Sequence, residues 1–328
     1  MKPVGLIIIA LLISHGYCYS SYTSSELFIV EWGHGNSELK ASPGYSNVDP
    51  GTPEDSTDDY FVTGEGPNGA FVDADCCIII TSSLIQLKGF RDDGDLIFDI
   101  SSGSPDYQRV MYKGDVGDIF VDSEKRIYLT TVWPMSYVPV INYEDLTVDS
   151  LVPFTEDPDV AANFLNWTYD GRIMFGTFKW GWVTYDGEEF IPGGTSAVLS
   201  SDGLFRLAYY VAHDKAIFYF FKDPDTSGYS PDADSVIIEL GVENLVHVEL
   251  LNSMEPSHLY LAVYYYTDFS FYEICQFDLE YNLIDKVVPP AEPEYYSSTP
   301  KPFITAEGDI YEFRTREDGL HVIRWSKE

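Results

Sequence analysis

The feature that most constrains this chain is a unit it keeps repeating: a short apolar run, a polar turn, and a second apolar run. FVDSEKRIYL starts at Phe120. FVDADCCIII at Phe71, NWTYDGRIMF at Asn166, VLSSDGLFRL at Val198 and FITAEGDIYE at Phe303 follow the same plan, and a longer-turned version starts at Val248 and resumes at Leu259. Successive starts lie 49, 46, 32, 50 and 55 residues apart. A supersecondary unit repeated at such a spacing stacks on its neighbours to bury a shared core, and an array built of strands predicts a propeller.

Each repeat carries more strands than its first two. After FVDADCCIII come LIQLKGF at 84–90, a turn at Asp92-Asp93-Gly94-Asp95 where glycine supplies positive φ, and LIFDI at 96–100. Four antiparallel strands in one meander describe a propeller blade. The last repeat offers only FITAE, DIYEFRT and HVIRWSK. ELFIVEW at 26–32 is otherwise unplaced, and setting it beside HVIRWSK would cover two open sheet edges. The expected fold is therefore all-β: a six-bladed β-propeller of four-stranded antiparallel blades, its last blade closed by an N-terminal strand. Residues 21–25 (SYTSS) read as a disordered polar lead-in.

Composition agrees with this class. Aromatics make up 16% of the 328 residues, with 25 tyrosines, and such side chains suit a pleated, half-buried surface. No window of about 15 residues beyond the leader sustains helical periodicity. Residues 1–20 read as a secretory signal peptide: Lys2, an apolar run from Val4 to Ser14, then small and polar residues. That run is too short to span a bilayer, which predicts a secreted or periplasmic protein with a single domain at 26–328. The formal charge is −34, from 53 acids against 19 bases. A field of that sign argues against nucleic acid and anionic membranes as partners and keeps an aromatic-rich protein soluble. Cys76, Cys77 and Cys275 are too few for a disulfide framework and read as free thiols, a vicinal Cys76–Cys77 bridge being the alternative.

Glu65-Gly66-Pro67, FVDADCCIII and LIQLKGFRDDGDLI together resemble the NHL-type repeat of six-bladed propellers, as do FVDSEKRIYL and FITAEGDIYE. The chain departs from that pattern where an Asp/Asn-Arg-Ile motif usually follows the second strand and Ser83-Leu84-Ile85 stands instead. The resemblance implies a diverged relative of a group whose members act both as enzymes and as interaction scaffolds.

The sharpest local signal is DPDTSGYSPDAD at 223–234. Asp223, Asp225 and Ser227 fall at positions 1, 3 and 5 of a calcium loop, Gly228 at 6, the Tyr229 carbonyl at 7 and Asp234 at 12. Asp in place of Glu at position 12 and flanking strands instead of helices depart from that loop, and the same residues suit a solvated acidic turn. Trp180, Trp182 and Tyr185 form an aromatic cluster fit for stacking or for inter-blade core. Asp73 and Asp122 close the first strands of two repeats and would lie near the axis, where propeller hydrolases can hold a metal. Asn166-Trp167-Thr168 is a glycosylation sequon placed within a strand.

No Ser, Cys or Lys stands in a recognisable activating motif, and the histidines are scattered. The expected function is that of an exported, non-enzymatic monomer binding a protein or carbohydrate through its loop face, with calcium as its cofactor. The alternative is a metal-dependent propeller hydrolase or lactonase-like enzyme. Acids converging in the channel would favour the enzyme, and a channel plugged by apolar side chains the scaffold.

Overall fold

A computed structural model of the chain describes residues 7–8, 21–33, 37–39, 66–82, 86–100, 116–131, 137–142, 144–145, 147–153, 162–177, 181–212, 214–222, 233–241, 245–266, 270–290 and 299–327. Six antiparallel sheets form in chain order, each with its strands hydrogen-bonded in sequence. Blade 1 comprises Pro67–Val72, Ile78–Ser82, Gln86–Phe90 and Leu96–Asp99; blade 2 Val116–Val121, Arg126–Thr131, Tyr137–Asn142 and Thr147–Pro153; blade 3 Ala162–Trp167, Ile173–Thr177, Gly181–Tyr185 and Phe190–Pro192. Blade 4 comprises Val198–Leu199, Phe205–Ala212, Lys215–Phe221 and Asp234–Glu239; blade 5 Leu245–Leu250, Leu259–Tyr266, Ser270–Phe277 and Leu283–Val287. Blade 6 takes Phe303–Ile304, Ile310–Thr315 and Gly319–Lys327 from the C-terminal end. Ile7 and Ile8 run parallel to Val236 and Ile237 at the outer edge of blade 4.

The fourth strand of blade 6 comes from the N-terminal end, as the unplaced apolar segment predicts. Tyr22–Glu31 pairs antiparallel with Gly319–Lys327, from Tyr22 opposite Lys327 to Glu31 opposite Gly319. The strand is longer than ELFIVEW. It starts at Tyr22, so residues 22–25 are ladder and not a disordered lead-in. Tyr22 is buried among Leu251, Tyr260, Ile274 and Ile304 from blades 5 and 6, and its hydroxyl donates to the Gly308 carbonyl at 3.2 Å. Two residues of one polar-looking stretch thus reach blade 5, because the Ser21 backbone N–H also donates to Asp285 at 3.2 Å. Towards blade 1, Phe28 packs on Phe90 with ring centroids 5.8 Å apart. A Cβ on Gly94, which sits at φ 86°, would stand 2.8 Å from that of Phe28.

Burial explains the strand patterns. Second strands lie between neighbouring blades on both faces, and Ile78–Ser82 and Ile173–Thr177 are buried at every position. They accordingly read as continuous apolar runs. Outer strands such as Leu283–Val287 have one wet face and alternate. First strands of blades 1, 2, 3 and 6 touch one another around the axis.

The turn between first and second strands repeats in five blades. The N–H of residue 73, 122, 168, 200 or 305 donates to the carbonyl four positions on, and the N–H three positions on returns to its carbonyl. That returning residue must adopt positive φ. Glycine holds it in three blades (Gly171, Gly203, Gly308), but Cys76 at φ 59° and Lys125 at φ 60° hold it in blades 1 and 2. The left-handed conformation costs an L-residue roughly 1–2 kcal/mol.

Two stability outcomes follow from this packing. Cys76→Gly should raise the unfolding free energy by about 1 kcal/mol, read as a shift in denaturant midpoint at constant m-value. Tyr22→Ala should cost about 3 kcal/mol, as for other buried aromatic truncations, and deleting residues 21–25 should lower the melting temperature by at least as much as that single truncation. An unchanged melting temperature in the deletion would mean the strand fastens the ring from Glu26 onward only.

Candidate functional site

The channel is closed along part of its length by aromatic side chains, one from each of four blades. Phe71 lies 5.4 Å from Phe120, 5.7 Å from Trp167 and 4.7 Å from Phe303, and Trp167 lies 5.8 Å from Phe120 and 5.6 Å from Phe303, all between ring centroids. Edge and tilted contacts of this kind add to simple area burial. The plug forms the floor of a cup on one side of the ring.

One cup is a cavity of about 300 Å³ whose lining comes from all six blades. The repeat explains the convergence. Counting four residues back from the first turn residue of blades 1, 2, 3, 4 and 6 gives Gly69, Asp118, Phe164, Ser196 and Lys301. Every one lines this cavity, and Glu249 of blade 5 joins them. In blades 1, 2 and 6 strand alternation turns Gly69, Asp118 and Lys301 to the same face as the plug residues Phe71, Phe120 and Phe303 two places on; in blade 3 Asn166 holds that place and the plug residue is its neighbour Trp167. Asn166 and Asn252 also contribute to the wall.

Three charged groups meet here. The Lys301 ammonium donates to Glu249 Oε1 at 2.5 Å, in a pair whose lysine side chain is 66% exposed. Removal from bulk water works against the lysine charge, but Glu249 and then Asp118 outweigh it and hold the Lys301 pKa above its usual value. Asp118 is different. Its Oδ2 accepts the Leu165 N–H at 3.2 Å, and no ion pair joins it to a base among the described residues. Burial pushes its carboxyl above the usual carboxylate range; the Leu165 N–H and Lys301 pull it back only in part.

Blade 3 supplies an aromatic wall. Phe164 is 57% exposed, and Trp182 is half-buried beside it. Both crowd Gly176, where a Cβ would lie 3.3 Å from Phe164 and from the Trp182 indole. Trp182 lines the cavity and also packs on the buried cluster of Met174, Ala197, Leu199, Phe205 and Phe221, whereas Tyr185 turns away to pack on Tyr128 and Phe190. Trp180 lies outside the described residues.

Asp73 and Asp122 sit at the opposite end of the first strands and serve their turns. Asp122 Oδ1 accepts the N–H groups of Glu124 at 2.9 Å and Arg126 at 3.0 Å, and Oδ2 accepts Arg126 Nε at 2.8 Å and the Tyr128 hydroxyl at 3.0 Å. Asp73 Oδ1 accepts from Asp75 and Cys77 in the same way. Asn166 is buried, with its amide donating to the carbonyls of Thr195 at 2.9 Å and Ala197 at 3.0 Å, so the sequon offers no free amide to a glycan. The free thiols divide by position: Cys76, at the turn, is exposed, and Cys77 and Cys275 are buried, with burial pushing the latter two up to about 12. Of the calcium-loop residues, Asp223, Asp225, Ser227 and Tyr229 lie outside the described residues. Asp234 is exposed at the start of its strand, opposite Phe220. Among the described residues no group of three or more His, Cys, Asp and Glu could hold a metal ion.

No protein-family model and no curated protein matches the chain. Among solved structures it is similar to a calcium-binding protein, regucalcin, from Agrobacterium tumefaciens (13% identity, 80% of this chain and 91% of that one, TM-score 0.47). It is also similar to a gluconolactonase from Xanthomonas campestris (9%, 80% and 86%, 0.47) and to the WD40 domain of Toxoplasma gondii coronin (9%, 80% and 69%, 0.45). Likeness at this level leaves function to the residues of this chain. The chain is a six-bladed β-propeller of four-stranded antiparallel blades.

The raised Asp118 carboxyl has a consequence for stability. A carboxyl whose folded pKa exceeds its unfolded value favours folding while protonated, and that advantage is lost as pH rises through the folded pKa. Asp118→Asn keeps an acceptor for the Leu165 N–H and removes the charge. The variant should therefore melt higher than the parent at neutral pH, and the gap should close below the ordinary carboxylate value of about 4.

Proposed function

We propose that this is an exported, non-catalytic propeller that binds a saccharide in the mouth of its central channel. The observation that carries this reading is the cup itself: hydrogen-bonding side chains from all six blades set above an aromatic plug and beside the Phe164–Trp182 wall. Sugar rings present apolar C–H faces and rims of hydroxyls, and an aromatic wall beside amides, carboxylates and an amine meets both. A volume of about 300 Å³ stands at the low end for small-molecule pockets and suits one or two rings better than a protein segment.

The metal-dependent hydrolase reading is less well supported by the donor set. Of the two carboxylates in the cup, Glu249 is held by an ammonium at 2.5 Å, the place on that carboxylate that a divalent cation would need. A fixed cation among the donors repels a second one. Export rests on the leader-like residues 1–20, and among the described residues no helix is long and apolar enough to cross a membrane.

Trp167 and Trp182 give the site its own optical probe, so titration with neutral di- and oligosaccharides should change the intrinsic fluorescence. Trp182→Ala should weaken binding at least tenfold, about 1.4 kcal/mol, without loss of fold. Release of cleaved sugar during the titration would replace the binding reading with an enzymatic one. Absence of binding by any saccharide in the series would overturn both the ligand class and the site.

A further inference from the structure

The mouth contains three formal charges, and two of them cancel. Lys301 and Glu249 close on each other at 2.5 Å, and no such pair is available to Asp118 among the described residues. The Asp118 Oδ2 accepts one backbone N–H, from Leu165, and no hydrogen bond from a described residue reaches Oδ1. Asp118 lines the open cup, so that oxygen is within reach of a ligand's donor, and a charged donor makes the stronger bond to a carboxylate. We propose that the cup selects a saccharide bearing a protonated amine, and that Asp118 is the residue that receives the amine; this rests on the saccharide reading above.

The chemistry ranks three ligand classes. A hydroxyl can donate to Oδ1, but an ammonium donates with charge and forms the shorter, stronger bond. An acidic sugar would set a second anion beside Asp118 and meet the field of a chain carrying −34, which a cleft focuses. Glu249 already has its charge balanced by the Lys301 ammonium, and Lys301 has its own balanced by Glu249, so each offers a ligand charge less pull than Asp118 does. Selection by charge therefore falls to Asp118, while Trp182 and Phe164 serve any pyranose ring.

Cellobiose and the glucosamine dimer of the same linkage are a matched pair, differing by a hydroxyl or an ammonium at two carbons. Calorimetric titration of the intact protein with each, below the pKa of the amine, should show the amine-bearing dimer binding at least tenfold tighter. Asp118→Asn, whose fold is checked by its melting curve, should remove the advantage of the amine-bearing dimer and bring the two affinities together. Trp182→Ala should weaken both. Equal affinities in the parent, with Trp182→Ala still weakening both, would overturn amine selection and leave saccharide binding standing. An amine advantage that persists in Asp118→Asn and fades with salt would mark general attraction to an acidic protein and overturn the role of Asp118. Failure of both dimers, alongside failure of every neutral sugar, would remove the saccharide reading and this one with it.

Discussion

Everything in this molecule depends on one pairing, that of Tyr22–Glu31 with Gly319–Lys327. A propeller's sheets meet only side by side, so an unclosed ring leaves two blade faces wet and two sheet edges unpaired. Here the strand that completes blade 6 also reaches its neighbours, through Phe28 onto Phe90 of blade 1 and through Tyr22 into the gap with blade 5. Its approach is close: a Cβ on Gly319 would lie 2.5 Å from the Val30 carbonyl oxygen. Polar groups lock the register. His321 is buried, with Nδ1 2.8 Å from Glu26 across the seam and Nε2 2.8 Å from Asp318, whose carboxyl is held below its usual value by that contact. Pairing the first residues of a ring with its last also makes the closing contact the most remote in sequence, so loop-closure entropy is repaid late in folding.

The gaps between the other blades use the same two materials. Aromatic contacts join neighbouring blades, as where Phe218 of blade 4 meets Phe277 and Tyr281 of blade 5 at 6.0 and 5.4 Å. Buried charges with several partners sit beside them. Arg206 has a side chain only 1% exposed, yet it donates to both oxygens of Asp202 and to the Tyr281 hydroxyl. Glu312 accepts from Tyr272, Arg314 and Trp325. Such networks contribute little net stability over apolar packing, because desolvation offsets the attraction. They do penalise any slip of one blade against the next, since a slip would strand a buried charge.

The blades were legible because their signal is local. An apolar run, a turn and a second apolar run recur within ten residues, and even the missing strand announced itself as an unplaced apolar segment. The start of that strand was not legible. Tyr22 sits in SYTSS, a stretch whose composition speaks for solvent, and only its position over blades 5 and 6 makes it core. The site was illegible for a related reason. Asp118, Glu249 and Lys301 are single charged residues in three separate repeats, so no spacing rule for a motif can join them. A usable signal did exist: once the turns are aligned, the position four residues before each turn's first residue names Asp118, Phe164, Ser196 and Lys301. The acids noticed first, Asp73 and Asp122, occupy the turn itself, where their work is to accept backbone N–H groups.

The plug decides how the charged residues at the mouth can act. Phe71, Phe120, Trp167 and Phe303 close one side, and burial raises the Asp118 carboxyl while the cup stays open above. The same closure fixes depth. A ligand entering from the mouth stops at the plug, with the Phe164–Trp182 wall beside it and the polar rim around it. Scaffold and site are thus not alternatives in this ring: apolar side chains from four blades make the floor, and in blades 1, 2 and 6 the residues two places earlier in the same strands, Gly69, Asp118 and Lys301, make part of the walls. Function is free to vary at those wall positions because the floor, one pleat below, bears the packing.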